Sequence, residues 1–422
     1  MPVPFFRDIF NQKITINRRT SRMHRTAPLF ILPRKRFGFL LFVFFLLPFG
    51  VAAQPHALTD SATISLITVS PGNELYTTFG HSAFRVVDKS QNLDRIYNYG
   101  TFDFDEPGFY LNFCRGKLDY LLSAYRYKWA EETYIDEQRS IFQQKLNVTP
   151  EMRDYLFQFL EWNHLPENRR YRYDFFFDNC ATRIRDVFER TLGDDVRLYE
   201  NPDRHMTFRE YIDLYLTGLP FSDYGIDLAL GAKTDNPASA YEAMFLPDYL
   251  FEAVENGEIR INGEWQPLVA QFDTIYWTDF SEHPKTALPW MAIIMWLIFA
   301  LSGWMTVRAY REKQSPKISW IDYGLFGLNG LMGVVMLLLW FATDHTTTVN
   351  NWNLVWAWPT NLIVFGLFFV PKMREQLLVY FMVFAGVLVL ALAGWAFLPQ
   401  DLHEANIPFI LALVLRCWWL SK

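Results

Sequence analysis

The last third of the 422-residue chain consists of apolar stretches that alternate with short polar loops. A helix needs about 20 apolar residues to cross the hydrocarbon core of a bilayer, and the first, second and fourth stretches reach that length. The third and fifth stretches are shorter. In chain order the stretches are residues 288–309, 321–343, 354–370, 376–397 and 405–420. Residues 286–422 are therefore expected to form an all-α transmembrane domain of about five spans.

Positive charge alternates between the loops that connect these stretches. Loops 308–317 and 371–375 carry Lys and Arg, whereas loops 344–353 and 398–404 carry neither. Because loops rich in Lys and Arg stay in the cytoplasm, the alternation predicts that residues 54–285 lie on the opposite, exported side of the membrane.

The N-terminus has the features of an export signal. The basic run Arg34-Lys35-Arg36 precedes an apolar run at residues 37–49, and the small residues Ala52-Ala53 follow it. Because the apolar run is short for a span and contains Pro48, a cleaved signal peptide is favoured, with an uncleaved N-terminal anchor as the alternative. Residues 1–53 are accordingly left out of the fold prediction.

The exported segment is acidic. Residues 54–285 carry 22 basic and 38 acidic side chains, a net charge of −16. Nucleic acid as a partner is excluded, because its phosphates require a basic surface. The three cysteines, Cys114, Cys180 and Cys417, are too few for a disulfide scaffold. One Cys114–Cys180 bridge is formally allowed, and the odd count leaves room for a reactive thiol.

Residues 54–285 predict one α+β domain. Residues 64–69 form an apolar, β-rich run that ends at a Pro-Gly turn, and residues 82–87 and 94–99 predict a hairpin around a polar loop. A further strand is predicted over residues 117–124. One helix is predicted to start after the N-cap Thr149, with Pro150 at its first position, and another near Asn179. Two more helices are predicted near residues 207–217 and 238–256.

Two short segments carry residues suited to nucleophilic chemistry. His81 follows Gly80 at the start of a predicted strand, and Cys180 lies in the first turn of a predicted helix. The free N–H groups and the dipole of a helix start stabilise a thiolate and can also serve as an oxyanion hole. Histidine is the base best suited to such a thiol near neutral pH. Asn98, on the strand after His81, is placed to orient the imidazole by accepting a hydrogen bond from its second nitrogen.

Each of these residues also has a structural interpretation. Cys180 could be a small buried side chain, His81 a turn residue and Asn98 an ordinary strand-end asparagine. Cys114 is expected to be structural. His345, next to Asp344 at the end of a predicted span, is a weak candidate for substrate binding. No metal site or cofactor is predicted, since the histidines are scattered and metal-ligand, GxSxG and phosphate-loop spacings are absent from the sequence.

The order of histidine, polar strand residue and helix-borne cysteine resembles the circularly permuted papain-like fold of lecithin:retinol acyltransferase and of permuted relatives of NlpC-type peptidases. Over about residues 62–260 the chain more closely resembles the Lnb N-terminal periplasmic domain family. The matching segments are Ser70-Pro-Gly-Asn-Glu-Leu-Tyr76, Phe79-Gly-His-Ser-Ala-Phe-Arg85, Tyr97-Asn-Tyr-Gly-Thr-Phe-Asp103 and Asp178-Asn-Cys-Ala-Thr-Arg-Ile-Arg-Asp186, with the polar loop at Asp344-His345 and Asn350–Asn353.

This resemblance implies an acyltransferase of the bacterial inner membrane with a periplasmic catalytic domain. It would move a fatty acyl chain from a phospholipid, through a thioester on Cys180, to the N-terminal amine of exported lipoproteins, with His81 managing the protons. A periplasmic cysteine peptidase or amidase and a non-catalytic membrane scaffold are the alternatives. Many aromatic residues near the site favour an apolar tunnel over a polar peptide cleft: Phe79, Phe84, Tyr97, Tyr99, Phe102, Phe104, Phe175, Phe176 and Phe177.

Overall fold

An antiparallel sheet of seven strands forms the centre of the exported part. The computed structural model describes residues 57–102, 108–117, 119–203, 205–279, 287–370 and 373–422, so the predicted signal segment 1–53 lies outside the described residues. The sheet order is β10-β5-β1-β2-β3-β4-β6. Its strands are β1 Thr63–Val69, β2 His81–Asp88, β3 Leu93–Thr101, β4 Asp119–Arg126, β5 Ile141–Leu146, β6 Arg170–Arg172 and β10 Val269–Tyr276. A smaller sheet contains β7 Val196–Arg197, β8 Glu258–Ile261 and β9 Glu264–Pro267.

Helices cover both faces of the large sheet. One face carries Ile67, Ala83 and Ile96 and packs on α2, while Phe84 of the other face contacts Phe188 of α4 at 5.3 Å between ring centroids. Because both faces are covered, β1 is buried along nearly its whole length. The helices of this part are α1 Phe109–Cys114, α2 Tyr127–Asp136, α3 Pro150–His164, α4 Cys180–Leu192, α5 Phe208–Leu216, α6 Pro220–Ala229, α7 Ala240–Ala243 and α8 Pro247–Glu255.

Several predicted elements are confirmed. The β2–β3 hairpin turns through a 3₁₀ turn capped by Asp88, and Asn92 takes the left-handed conformation there (φ 53°). Thr149 caps α3 by accepting from the N–H of Met152 at 3.3 Å. The single helix predicted over 238–256 is wrong, because Pro247 starts a new helix at its first position. Helices α1, α2 and α6 and strands β5 and β10 were not predicted.

The C-terminal part is helical and has apolar residues on its surface. Two of its helices, α9 Trp290–Arg311 and α10 Trp320–Phe341, are long and apolar enough to cross a membrane. Leu297 is 64%, Phe341 70% and Leu390 72% exposed, which suits contact with lipid rather than water. The remaining helices are α11 Thr360–Leu367, α12 Met373–Gln376, α13 Leu378–Ala393 and α14 Asn406–Leu420. The fourth apolar stretch is shorter as a helix than predicted, since α13 ends at Ala393.

A buried ion pair ties three of these helices together. Arg416 of α14 donates to both carboxylate oxygens of Asp322 on α10 at 2.7 Å and to Thr306 of α9 at 2.8 Å. We expect Arg416→Met to lower the free energy of unfolding by about 3–5 kcal/mol, because it leaves the Asp322 charge buried and unpaired. Thermal unfolding in detergent measures this change. The exposed Arg311→Met serves as the control, and equal destabilisation by both variants would contradict the prediction.

The two loops without Lys or Arg both contact the sheet part. The N–H of Gly231 donates to Thr347 O and the amide of Gln400 donates to Leu230 O, both at 2.8 Å. The approach at Gly231 is so close that an added Cβ would lie 1.9 Å from Val349 O. Loops 344–353 and 398–404 therefore lie on the same side of the helical part as the sheet, as the charge alternation predicts.

Candidate active site

His81 and Asn98 meet at one end of the sheet. His81 is the first residue of β2 and Asn98 lies on the adjacent strand β3. The Nε2 atom of His81 is 2.9 Å from Oδ1 of Asn98, and the Asn98 amide donates to the hydroxyl of Tyr125 at 3.2 Å. Because a carbonyl oxygen only accepts, the imidazole carries its proton on Nε2. The Nδ1 atom is left with the lone pair that a general base needs.

The imidazole is neutral at physiological pH. Burial, followed by the positive charge of Arg139, lowers the pKa of His81 to about 4, against a smaller raising effect of the Asn98 hydrogen bond. A base that rests unprotonated is ready to accept a proton from a thiol.

Cys180 lies at the start of α4, and three backbone N–H groups act on its thiol. These belong to Ser82, Ala181 and Cys180 itself, and they lower the pKa of the thiol together with the charge of Arg139. Burial is the larger effect and raises this pKa above its ordinary value. Since Ser82 directly follows His81, the thiol lies at the same end of the sheet as the imidazole. The pair thus rests as neutral thiol and neutral imidazole.

The local sequence holds Cys180 at the helix start. Asn179 is the N-cap, and its Oδ1 accepts from the N–H groups of Ala181 and Thr182 at 2.9 and 3.0 Å. Its amide donates to Phe175 O at 2.7 Å and to Phe245 O at 2.8 Å. With the reciprocal bond from Asn179 N–H to the Thr182 hydroxyl, this is a capping box. The prediction that Cys180 lies in the first helical turn is confirmed.

Arg139 is a site residue that the sequence did not reveal. It precedes β5 and is 3% exposed, and its Nε donates to Ser70 O at 2.8 Å. Val69, the neighbour of Ser70, pairs with His81 on one side and with Ile141 on the other. The guanidinium is therefore fixed two strands away from His81, and among the described residues its Nη2 has no hydrogen-bond partner.

We expect Arg139→Met to move the acidic limb of the activity profile to higher pH by about one unit, because removing the cation lets the pKa of His81 rise toward its ordinary value. The pH dependence of Cys180 alkylation by iodoacetamide should also move to higher pH, because Arg139 lowers the pKa of the thiol as well. Arg139→Lys keeps the charge and is expected to stay near the wild-type profile. A loss of rate that is equal at every pH would instead assign Arg139 a purely structural role.

Three tyrosines near Cys180 were not predicted, and the predicted Phe102 packs on one of them, Tyr120, at 5.0 Å between ring centroids. Burial, followed by the thiolate form of Cys180, raises the pKa of Tyr120, and the thiolate acts in the same direction on Tyr171 and Tyr173. Tyr120 stacks on Tyr173 at 4.0 Å between ring centroids. The aromatics named from the sequence largely fill the core: Phe84, Tyr97, Tyr99 and Phe176 are buried, Phe79 and Phe175 pack together at 4.7 Å, and Phe104 lies outside the described residues.

Gly100 leaves room for the imidazole. A Cβ at this position would lie 3.0 Å from Cε1 of His81 and 3.1 Å from Oδ1 of Asn98. Any larger residue would therefore press on the His81–Asn98 pair. The glycine falls within one of the family-like segments, but its role depends on a contact between strands.

The loop that carries His345, a further sequence candidate, contacts the segment that leads into Cys180. His345 is in the loop after α10, where its backbone lies against Gly116, and the neighbouring Thr346 donates to Asp174 at 2.6 Å. Cys114 is exposed, Cys417 is buried in the helical part, and all three cysteines are free thiols, so the formally allowed Cys114–Cys180 bridge is not formed.

A second cluster of titratable groups lies between the sheet part and loop 398–404. Ligand-type atoms of Asp223, Asp227 and His403 lie within 4.8 Å of one another. His403 Nδ1 accepts from the N–H of Ala405 at 3.1 Å, so Nε2 carries the proton and points it at Asp223, 3.5 Å away. Burial lowers the pKa of His403, but Asp223 and Asp227 together raise it. The arrangement joins the two parts of the chain through the contact between His403 and Asp223.

Family comparison agrees with this two-part architecture. Residues 54–213 match the Lnb N-terminal periplasmic domain, and residues 281–421 match the Lnb transmembrane domain. No curated protein and no solved structure matches the chain. With a periplasmic sheet domain followed by an apolar helical region, each matched to its Lnb counterpart, the chain belongs to the Lnb family of membrane proteins.

Proposed function

We propose that this protein is a thiol-dependent acyltransferase that uses Cys180 as nucleophile, His81 as general acid–base and Asn98 as the residue that orients the imidazole. The observation that carries the proposal is the hydrogen bond of His81 Nε2 to Asn98, at 2.9 Å, at the same end of the sheet as a cysteine in the first turn of a helix. The donor is a phospholipid and the acceptor is the N-terminal amine of an exported lipoprotein. The fold proposed for the site is the circularly permuted papain-like one.

The first half of the reaction transfers the acyl group to the enzyme. His81 Nδ1 takes the thiol proton as the sulfur attacks the carbonyl carbon of a phospholipid ester. The negative charge of the tetrahedral intermediate develops on the former carbonyl oxygen of the ester, where N–H groups of the helix start can stabilise it. The C–O bond then breaks, His81 returns its proton to the departing alkoxide, and a lysophospholipid leaves a thioester on Cys180.

The second half transfers the acyl group to the amine. The lipoprotein amine, in its neutral form, attacks the thioester carbonyl and loses a proton to His81. Collapse of this intermediate forms the amide bond, breaks the C–S bond and returns the proton to the sulfur. The free thiol and neutral imidazole are restored, so the cycle needs no further reactant.

The membrane location supports lipid substrates. The described helices α9 and α10 are long enough to span, and loops 344–353 and 398–404 hold the sheet part against the helical part. A multi-pass topology in the inner membrane is part of the proposal. It brings Cys180 to the level where phospholipid esters and lipid-anchored amines are both found.

Mass spectrometry of lipoprotein N-termini tests the proposal directly. Cells that lack this protein should contain lipoproteins with a free N-terminal amine, and restoring the gene should restore the N-acyl mass. Unchanged N-acylation in its absence would refute the acyltransferase. Accumulation of uncleaved cell-wall peptides in those same cells would favour the peptidase or amidase alternative.

Asn98→Ala should lower kcat by about tenfold to a hundredfold with little change in KM, because His81 loses the acceptor that selects its tautomer. Tyr125→Phe removes the hydroxyl that accepts from the Asn98 amide and should lower kcat by a smaller factor than Asn98→Ala. Purified protein in lipid nanodiscs, with a labelled phospholipid donor, allows both constants to be measured. An unchanged kcat for Asn98→Ala, at an unchanged unfolding temperature, would remove Asn98 from the mechanism.

A further inference from the structure

Helix α1 presents large apolar side chains to its surroundings. Leu111 is 62% exposed and Phe113 is 53% exposed, and both lie on a helix of six residues. Because the two residues are two positions apart, they leave the helix on opposite sides, so α1 exposes an apolar side chain on each flank.

The turn after α1 is fixed to the loop that follows span α10. The N–H of Asp344 donates to Arg115 O at 2.8 Å, and Lys117 Nζ lies 3.7 Å from a carboxylate oxygen of Asp344. Gly116 (φ 68°) approaches so closely that an added Cβ would be 2.8 Å from His345 N. Asp344 is only three residues beyond Phe341, where α10 ends. Helix α1 therefore lies at the level where a membrane-spanning helix leaves the bilayer.

The same end of the sheet carries the candidate active site. The α1 segment connects the end of β3 to the start of β4, and Thr101 pairs with Leu121 at that end. His81 starts β2 there, whereas the 3₁₀ turn Lys89–Gln91 lies at the opposite end of β2. The eight residues of β2 separate the two ends by about 25 Å. The active-site end thus faces the membrane and the Lys89 end faces away.

The position of α1 identifies the occupant of this surface. The charge around α1 is mixed, because Arg115 and Lys117 follow the helix while three acidic residues precede it in the sequence and Lys117 lies beside Asp344. Large apolar side chains at the level of a span end are suited to the headgroup region of a bilayer. The continuity of α1 with the end of α10 favours a lipid surface over a second copy or a soluble partner.

We infer that Leu111 and Phe113 insert into the outer surface of the bilayer beside α10 and anchor the active-site end of the sheet to the lipid. If the proposed acyltransferase function also holds, this contact delivers the donor phospholipid next to Cys180. The bilayer contact itself does not depend on that function.

Cys114 allows a direct test in the full-length protein. A polarity-sensitive fluorophore on Cys114, in a Cys180→Ser background and in nanodiscs of phosphatidylethanolamine and phosphatidylglycerol, should be quenched by lipids spin-labelled near the headgroup. The control carries the fluorophore on Lys89→Cys, with Cys114→Ser and Cys180→Ser, and should not be quenched. Equal quenching at the two positions would overturn the inference.

A double variant tests the side chains themselves. Leu111→Asp with Phe113→Asp should reduce quenching at Cys114 to the Lys89 level and slow N-acylation from vesicle donors by about tenfold, through the lost apolar contact. The rate of Cys180 alkylation should be the same in the double variant as in the wild type. Tyr155→Asp, on the exposed face of α3, is the matched control and should change neither quenching nor N-acylation. Quenching that persists in the double variant contradicts the inference. If the fluorophore on Cys114 is quenched but the wild-type protein shows no N-acylation, the proposed function is refuted and the membrane contact still holds.

Discussion

Replacing Cys180 with serine is expected to lower the rate of N-acylation by at least about a thousandfold. A hydroxyl is a far weaker nucleophile than a thiolate, and the neutral imidazole of His81, with a pKa near 4, is too weak a base to ionise it. The helix cap and the three N–H groups stay in place, so the variant should fold normally. Mass spectrometry of lipoprotein N-termini from cells carrying only the variant measures the effect.

The chain supplies its own control for this variant. Cys114 is an exposed free thiol on α1, and Cys114→Ser should leave N-acylation unchanged. Full N-acylation in cells that carry only Cys180→Ser would refute the enzyme proposal and favour the membrane scaffold.

His81→Ala is expected to reduce kcat by about a thousandfold to ten-thousandfold. Without the imidazole the thiol keeps its proton at neutral pH, because burial raises the pKa of Cys180. The residual rate should therefore rise about tenfold with each pH unit as hydroxide forms the thiolate, whereas the wild-type rate depends much less on pH. Added imidazole should restore part of the activity by filling the space that the side chain leaves.

His164, at the last position of α3, provides the comparison for this experiment. His164→Ala should keep wild-type kinetics and a wild-type pH profile. A His81→Ala variant with an unchanged pH profile would mean that another group accepts the thiol proton.

Local signals explain what could be predicted from the sequence. A polar cap before an apolar-periodic segment predicts a helix start, and this rule was sufficient to place Cys180 at the first turn of α4. The β2–β3 hairpin follows from two apolar runs around a polar loop, and it determines that His81 and Asn98 lie side by side. The α+β class of the exported part and the helical C-terminal part follow from the same patterns.

Long-range contacts explain what could not be predicted. Arg139 is 58 residues from His81 along the chain and acts on it only because β1 lies between β2 and β5. Tyr120 reaches the Cys180 region because β4 pairs with β6, a strand of three residues that gives almost no periodic signal. Helix α6, which was not predicted, starts at Pro220 after only a short break from α5.

The hydrogen bonds that fasten loops 344–353 and 398–404 to the sheet part hold the active-site end at a constant height above the bilayer. An enzyme held in this way meets its lipid substrates in two dimensions. The quantity that governs its rate is then the mole fraction of donor phospholipid in the membrane, not the amount of lipid per volume. Extra vesicles of the same composition leave the turnover of each enzyme unchanged, whereas diluting the donor with a non-cleavable ether lipid slows it.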